Sequence, residues 1–61
     1  MSDLLNENEV AKVLRVKPST LQSWRHLKTG PIFLKIGRLA RYRLDDVEAW
    51  ADAQRREPGR G

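Results

Sequence analysis

The sequence predicts one domain that is mainly α-helical with a small β-hairpin, in the order helix, turn, helix, hairpin, helix. Two segments carry the residue pattern of a helix N-terminal capping box, and a proline stands where a second helix would begin. Between the last two helices lies an apolar, β-branched segment with a Gly-Arg pair, which is typical of a hairpin. Because a chain of 61 residues without cysteine has neither disulfides nor thiolate–metal sites, it must build its core from a few large side chains.

The first helix is predicted from Glu7 to Leu14. Asn6 can cap the exposed N–H groups of the first turn, and the Glu9 carboxylate can accept a hydrogen bond from the Asn6 backbone. An apolar face follows at helical spacing, formed by Val10, Ala11, Val13 and Leu14. Residues 15–17 form a short turn without glycine, so we expect one of them to adopt an unusual backbone conformation.

The second helix is predicted to begin at Pro18, where the missing N–H costs nothing. Lys17 before it is a poor cap, because its side chain offers no acceptor. The buried stripe is predicted from residues at three-residue intervals, which are Leu21, Trp24 and Leu27. The helix should end at residues 29–31, with Gly30 near the C-cap and Pro31 preventing continuation.

Residues 32–43 are predicted to form the hairpin, with a tight turn at Gly37-Arg38. Glycine in first place suits a type II′ turn, although loops of two and of four residues both fit the sequence. In the second strand, alternation places Arg41 and Arg43 on the face opposite Tyr42.

The third helix is predicted from a second capping box, with Asp45 as the cap and Glu48 three residues later. It is expected to run to Arg55 or Arg56, with a buried side formed by Leu44, Val47, Trp50 and Ala51. Residues 1–56 would form the domain, and residues 57–61 a flexible tail. Trp50 is expected to meet Trp24 in a core of these large side chains: Trp24, Trp50, Phe33, Tyr42, Leu14, Leu21, Leu27, Leu34, Val10, Val13, Ile36 and Val47.

Charge is distributed unevenly along the chain. Eight basic residues and no acidic one lie between Arg15 and Arg43, and every carboxylate lies before or after this segment. Folding is therefore expected to give one basic face and one mixed or acidic face. With a net charge of +4 and a pI near 10.1, a basic face indicates an anionic partner, and nucleic acid in particular.

The order of elements gives this basic segment a specific interpretation. In helix-turn-helix proteins the second helix enters the major groove of DNA and presents short polar side chains near its N-terminus. A basic hairpin beside it would act as a wing along the backbone or in the minor groove. The predicted DNA contacts are Lys17, Ser19, Thr20, Gln22, Ser23, Arg25, His26 and Lys28 from the second helix and its ends, and Lys35, Arg38, Arg41 and Arg43 from the hairpin.

Several stretches resemble small AlpA-type regulators and phage excisionases. VAKVLRVKPSTL at residues 10–21, followed by Trp24-Arg25, resembles their helix-turn-helix. FLKIGR at 33–38, RYR at 41–43 and DVEAW at 46–50 resemble their wing and closing helix. The resemblance implies a MerR-like winged helix-turn-helix fold and sequence-specific binding to double-stranded DNA by a prokaryotic or prophage-encoded regulator, cytoplasmic and nucleoid-associated. The chain departs from the family at Lys17, where a Ser or Thr cap is usual, and at residues 39–40, where a basic or β-branched pair is common.

The resemblance leaves two roles open. An excisionase, or recombination directionality factor, binds and bends attachment-site DNA, tends to bind beside further copies of itself, and directs an integrase. An AlpA-like transcriptional regulator uses the same domain at a promoter. A second alternative, from another class, is a protein-interaction adaptor for an integrase or polymerase.

No catalytic, cofactor or metal site is predicted. His26 is the one histidine, and its neighbour Ser23 is accompanied by no third group or oxyanion motif. Capping explains the Asp45-Asp46 pair more simply than a cation site does. The apolar runs are too short to span a membrane, and the N-terminus lacks the features of a signal peptide.

Overall fold

The computed structural model describes residues 4–56 and residue 58. The elements are β1 Leu4–Leu5, α1 Glu7–Leu14, α2 Pro18–His26, β2 Leu34–Ile36, β3 Leu39–Arg43 and α3 Leu44–Ala53. The strands form an antiparallel sheet in the order β1-β3-β2. Three helices with a small hairpin confirm the predicted fold class, that of a winged helix-turn-helix domain. Except for Pro58, the predicted tail lies outside the described residues, as do residues 1–3.

Helix α1 begins and ends where the sequence predicts. The Asn6 backbone N–H donates to Glu9 Oε1, and the Glu9 backbone N–H donates to Asn6 Oδ1, each over 2.8 Å. The capping box is therefore confirmed. Arg15, directly after the helix, has a φ of 57°, so the expected unusual conformation falls on this residue. The Val16 N–H then donates to the Ala11 carbonyl over 2.9 Å and closes the helix end.

Replacing Arg15 by glycine should raise the free energy of unfolding by about 0.5–1 kcal/mol. A left-handed conformation costs a residue with a Cβ about 1–2 kcal/mol, and glycine removes this cost while making the unfolded chain more flexible. Urea unfolding followed by tryptophan fluorescence measures the change. Arg15→Ala is the matched control, because it removes the same charge but keeps a Cβ. An equal gain in both variants would assign the effect to charge and contradict the backbone explanation.

Helix α2 begins at Pro18 as predicted but ends at His26, so the predicted end near Gly30 is wrong. Lys28 adopts the left-handed conformation, with a φ of 59°, and the N–H of the next residue donates to the Trp24 carbonyl over 2.8 Å. This hydrogen-bond pattern terminates the helix before the glycine is reached.

Gly30 allows a close approach instead of capping the helix. Its φ is 86°, and a Cβ on this residue would lie 3.0 Å from both Cβ and Cε3 of Trp24. A side chain here would be strained by the positive φ and would push the indole aside by a few tenths of an ångström, so glycine suits the loop where it passes over Trp24. Pro31, the next residue, is buried. The loop between α2 and the hairpin is thus held against Trp24.

The hairpin has a two-residue turn, which resolves the loop length that the sequence left open. Ile36 pairs with Leu39, so Gly37 and Arg38 form the loop. Gly37 has a φ of 62°, whereas Arg38 has no positive φ, and a type II′ turn requires this combination.

Strand β1 is not predicted by the sequence. Leu4 pairs with Arg43 and Leu5 pairs with Tyr42, which adds a third strand at the open edge of β3. Two residues are too few to show the alternation that indicates a strand. The pairing places the beginning of α1 next to the end of β3.

Helix α3 begins at Leu44 and ends at Ala53, so both of its predicted ends are corrected. Strand β3 runs into the helix without a turn, and Arg43 stands at the N-cap with an extended backbone and no side-chain capping bond. Asp45 therefore lies within the first turn, and not at the N-cap position where the sequence places it. Its charge is still favourable there, because the N-terminus of a helix attracts negative charge.

The core is smaller than predicted. The buried hydrophobic residues are Val10, Ala11, Leu21, Tyr42 and Val47, and the partly buried residues packed on them are Leu5, Leu14, Val16 and Trp24. The ring centroids of Trp24 and Trp50 are 5.0 Å apart, which confirms the expected contact between α2 and α3.

Several side chains that the sequence assigns to the core are exposed instead, namely Val13, Leu27, Phe33, Ile36 and Leu44. Leu27 is 66% exposed because it lies beyond the end of α2, where helical spacing no longer directs it inward. Ile36 and its partner Leu39 lie at the hairpin tip, on the sheet face opposite Tyr42.

Candidate nucleic-acid interface

One face of α2 carries polar side chains that are open to solvent. These exposed residues recur at positions i, i+3, i+4 and i+7, and they are Ser19, Gln22, Ser23 and His26. We call this set the polar stripe. Thr20 beside it is half-buried, while Leu21 and Trp24 hold the helix against the core. Short polar side chains let a helix backbone approach a grooved partner and supply donors and acceptors for base edges.

Arg25 is engaged with other parts of the protein. Its Nη1 donates to the Tyr42 hydroxyl and its Nη2 to Glu7 Oε1, each over 2.8 Å. The guanidinium carbon lies 5.8 Å from the centre of the Phe33 ring, within the range of a cation–π interaction. Only 22% of the Arg25 side chain is exposed. Arg25 therefore links α1, α2 and β3, a role that its place in the sequence does not indicate.

Glu7 lies among the predicted DNA contacts, and the sequence reasoning missed it. Its Oε2 accepts a hydrogen bond from Gln22 Nε2 over 2.8 Å, while its Oε1 accepts the bond from Arg25. In the sequence Glu7 precedes the basic segment and looks like an ordinary first-turn residue of α1. Only the packing of α1 against α2 brings its carboxylate to the edge of the polar stripe. No local pattern could have revealed this contact.

The Glu7 carboxylate is held in its charged form. The hydrogen bond from Gln22 lowers its pKa most, and the bond and charge of Arg25 lower it further, so that the pKa lies below 4.5 despite partial burial. Burial acts to lower the pKa of Arg25, but the bonds to Tyr42 and Glu7 outweigh it and raise the pKa. The stabilisation from Glu7 is therefore complete at pH values above 4.5 and is lost as the pH falls through its lower folded-state pKa.

A groove between the end of α2 and the hairpin gathers several predicted contacts. We call it the basic groove, and it is lined by Arg25, His26, Phe33, Lys35, Arg38 and Ala40. Lys35 pairs with Ala40, and alternation places both on the sheet face of Tyr42, which is the face toward α2. Lys17 and Lys28, exposed at the two ends of α2, extend the positive surface along the helix.

The structure does not bring Arg41 and Arg43 into this groove. Arg41 pairs with Leu34 and Arg43 with Leu4, so both arginines lie on the sheet face opposite Tyr42, as the alternation predicts. Arg41 is partly buried, and its Nη1 donates to the carbonyl of Ala40 over 2.9 Å. The predicted wing contacts are thus divided between the two faces of the sheet.

The polar stripe, the basic groove and the order of the elements define a small winged helix-turn-helix DNA-binding domain. Residues 4–55 match the protein family described as a helix-turn-helix domain. The chain belongs to this family, which comprises AlpA-like and excisionase-like small DNA-binding proteins. The matched range includes every helix and strand of the fold. A search among curated proteins found no match.

Residues 4–56 and 58 contain neither a candidate metal site nor a candidate membrane span. Over that range, no three His, Asp or Glu side chains are grouped so that they could hold a metal ion. None of the helices within it has the length and apolar character needed to cross a membrane. Ser23 and His26, the serine and histidine considered above as a catalytic pair, both lie in the exposed polar stripe.

Proposed function

We propose that this protein binds a specific sequence of double-stranded DNA, with α2 in the major groove and the hairpin along the adjacent backbone. The juxtaposition of the polar stripe and the basic groove carries this proposal. The stripe offers hydrogen-bonding groups to base edges, and Gln22 is the best suited of them because an amide can both donate to and accept from adenine. The basic side chains beside the stripe suit phosphates, which fix the position of a protein on DNA.

The groove suits a phosphodiester backbone that passes between α2 and the hairpin. Lys35 and Arg38 supply positive charge from the hairpin, and His26 lines the same groove from the end of α2. Phe33, with 38% of its surface exposed, gives the groove an apolar wall that suits a deoxyribose ring. On the other sheet face, Arg41 and Arg43 would reach phosphates only where the DNA curves around the hairpin.

Substitutions in the stripe and in the groove should have different effects on binding. Gln22→Ala should reduce the preference for specific over random DNA by about 1–3 kcal/mol, because a base contact is lost. Lys35→Ala should weaken binding to both DNAs by similar amounts, since phosphates carry no sequence information. Fluorescence anisotropy measures both effects, with a duplex selected from a random library by the wild-type protein and a scrambled duplex of equal length.

Gln54→Ala is the control for the loss of an amide, because Gln54 is exposed beyond the end of α3. This variant should bind both duplexes as the wild-type protein does. Equal weakening of both duplexes by Gln22→Ala would show that α2 does not read the sequence.

Within the family, the finer role we propose is that of an excisionase, which binds and bends attachment-site DNA. Helix α2 has 9 residues, and a single helix with one hairpin makes a small DNA interface. Cooperative binding of further copies at adjacent sites, or contact with an integrase, would offset this weakness. Bending would also bring phosphates toward Arg41 and Arg43 on the sheet face opposite Tyr42.

Titration of a natural site should then give a ladder of retarded species whose mobility indicates bent DNA. Deletion of the gene should reduce excision of the associated element. A single species on straight DNA, with unchanged excision, would favour an AlpA-like transcriptional regulator at a promoter. Capture of an integrase or polymerase without any retardation of DNA would instead favour the adaptor.

A further inference from the structure

We propose that Glu7 is a positioning residue for base recognition, which fixes the orientation of the Gln22 amide and holds Arg25 as a link between α2 and the hairpin. This inference rests on the proposed function, because it assigns the reading of a base to Gln22. Glu7 itself would touch neither base nor phosphate. It would determine which hydrogen-bonding groups α2 presents to the DNA.

The argument begins with the chemistry of the carboxylate. At the pH values where Glu7 is ionised it can only accept hydrogen bonds, so the Gln22 atom 2.8 Å from Oε2 must be the amide nitrogen. The amide can no longer rotate by half a turn without losing this bond. Gln22 therefore presents a fixed pattern of one carbonyl acceptor and one remaining N–H donor.

This fixed pattern matches one purine better than the other. Adenine offers an N6 donor and an N7 acceptor in the major groove, which pair with the carbonyl and the remaining N–H of glutamine. Guanine offers acceptors at both O6 and N7, so the fixed carbonyl of Gln22 would face another acceptor. A glutamine free to rotate could turn its NH₂ group toward guanine. Glu7 thus sharpens the preference for adenine.

Arg25 contributes to base recognition by joining α2 to the hairpin, through its contacts within the protein. Glu7 Oε1 and the Tyr42 hydroxyl each accept a bond from one terminal nitrogen of the guanidinium, and the Phe33 ring lies against it. These contacts join the first turn of α1, the recognition helix α2 and the central strand β3. Arg25 therefore adds a polar link between the polar stripe and the hairpin to the apolar packing beneath them.

The charge of Glu7 also has an unfavourable effect on DNA binding, which opposes its favourable effect on discrimination. A carboxylate at the edge of a DNA-binding surface repels phosphates and weakens binding to any sequence. Removing its charge should therefore strengthen binding to random DNA, while the loss of a fixed Gln22 amide should weaken discrimination. A residue with a purely structural role would change the affinity for both DNAs in the same direction and by the same factor.

The test compares Glu7→Gln with Glu48→Gln, which removes one exposed carboxylate from α3. Both variants and the wild-type protein are used to select duplexes from a random library. We then measure the affinity of each protein for three duplexes. They are the wild-type consensus, that consensus with its best-conserved adenine changed to guanine, and a scrambled duplex. For Glu7→Gln we expect roughly a tenfold loss of adenine-over-guanine preference, within the range that one base contact supplies. We also expect unchanged or tighter binding to the scrambled duplex, whereas Glu48→Gln should keep the wild-type preference.

A double-substitution cycle shows whether Glu7 acts through Gln22. In a Gln22→Ala background, Glu7→Gln should cause no further loss of adenine preference. Urea unfolding of each variant confirms that binding is compared between folded proteins. If Glu7→Gln selects the wild-type consensus with undiminished preference, or if its effect persists in the Gln22→Ala background, the inference is wrong while sequence-specific binding stands. If the wild-type protein enriches no sequence, the proposed function itself fails.

Discussion

Replacing Trp24 by alanine should remove most of the stability of the domain and lower its unfolding midpoint strongly. The indole contacts Trp50 across a centroid distance of 5.0 Å, and the loop at Gly30 passes directly over it. Truncation of a large aromatic side chain in a core costs about 3–5 kcal/mol. In chains shorter than about 70 residues, a single hydrophobic core rarely supplies more than about 3–5 kcal/mol of stability. Because Trp24 is partly exposed, the lower end of the cost applies, and a loss of about 3 kcal/mol still removes most of the stability of a domain this small.

Thermal unfolding followed by far-UV circular dichroism measures this loss, and the fluorescence of the remaining Trp50 reports the opening of the core. Leu27→Ala is the control, since Leu27 is 66% exposed although its spacing suggests burial. This variant should unfold within a few degrees of the wild-type protein. A folded Trp24→Ala protein with an unchanged midpoint would mean that the tryptophan pair contributes little to the core.

Binding to DNA should weaken steeply as salt is added. The surface around α2 and the hairpin offers about four to six cations to phosphates, so the slope of log K against log salt should be about −4 to −5. The affinity should fall by a factor of several hundred between about 50 and 200 mM salt, which exceeds the effect of any single contact. Arg25 is excluded from this group, because its charge is already paired with Glu7.

Anisotropy titrations at several salt concentrations, with one duplex throughout, measure the slope. Arg38→Ala, at the hairpin turn, should make the slope shallower by about 1 if this residue contacts a phosphate. Arg55→Ala provides the comparison, because Arg55 lies beyond α3 and should leave the slope unchanged. A wild-type slope near zero would contradict nucleic-acid binding altogether.

The sequence predicts what depends on local interactions. The bounds of α1 follow from Asn6, Glu9 and the turn at Arg15, which all act within a few residues. The two-residue turn at Gly37-Arg38 is also local, because the positive φ of Gly37, followed by a residue without one, defines the type II′ turn. The polar stripe also follows from helical spacing, once the start of α2 at Pro18 is known.

Errors arise where a distant part of the chain decides the outcome. Leu5 forms strand β1 only because the edge of β3 is available beside it. Asp45 does not occupy the N-cap position, because β3 continues into α3 and Arg43 takes that position. The contact of Glu7 with Gln22 depends on the angle between two helices, which no spacing in the sequence records. The residues of the candidate site can thus be predicted on each element, but the hydrogen bonds that join residues of different elements cannot.

The direct passage from β3 to α3 has a mechanical consequence for the proposed bending of DNA. A hairpin joined to its domain by a loop could swing freely and would transmit little torque. Here Arg43 belongs to the strand, and Leu44 already belongs to the helix. On the adjacent edge, β1 fastens the same end of the strand. A load applied at residues 37–38 would therefore be carried along β3 to an anchored base, which is the geometry that the proposed bending of DNA requires.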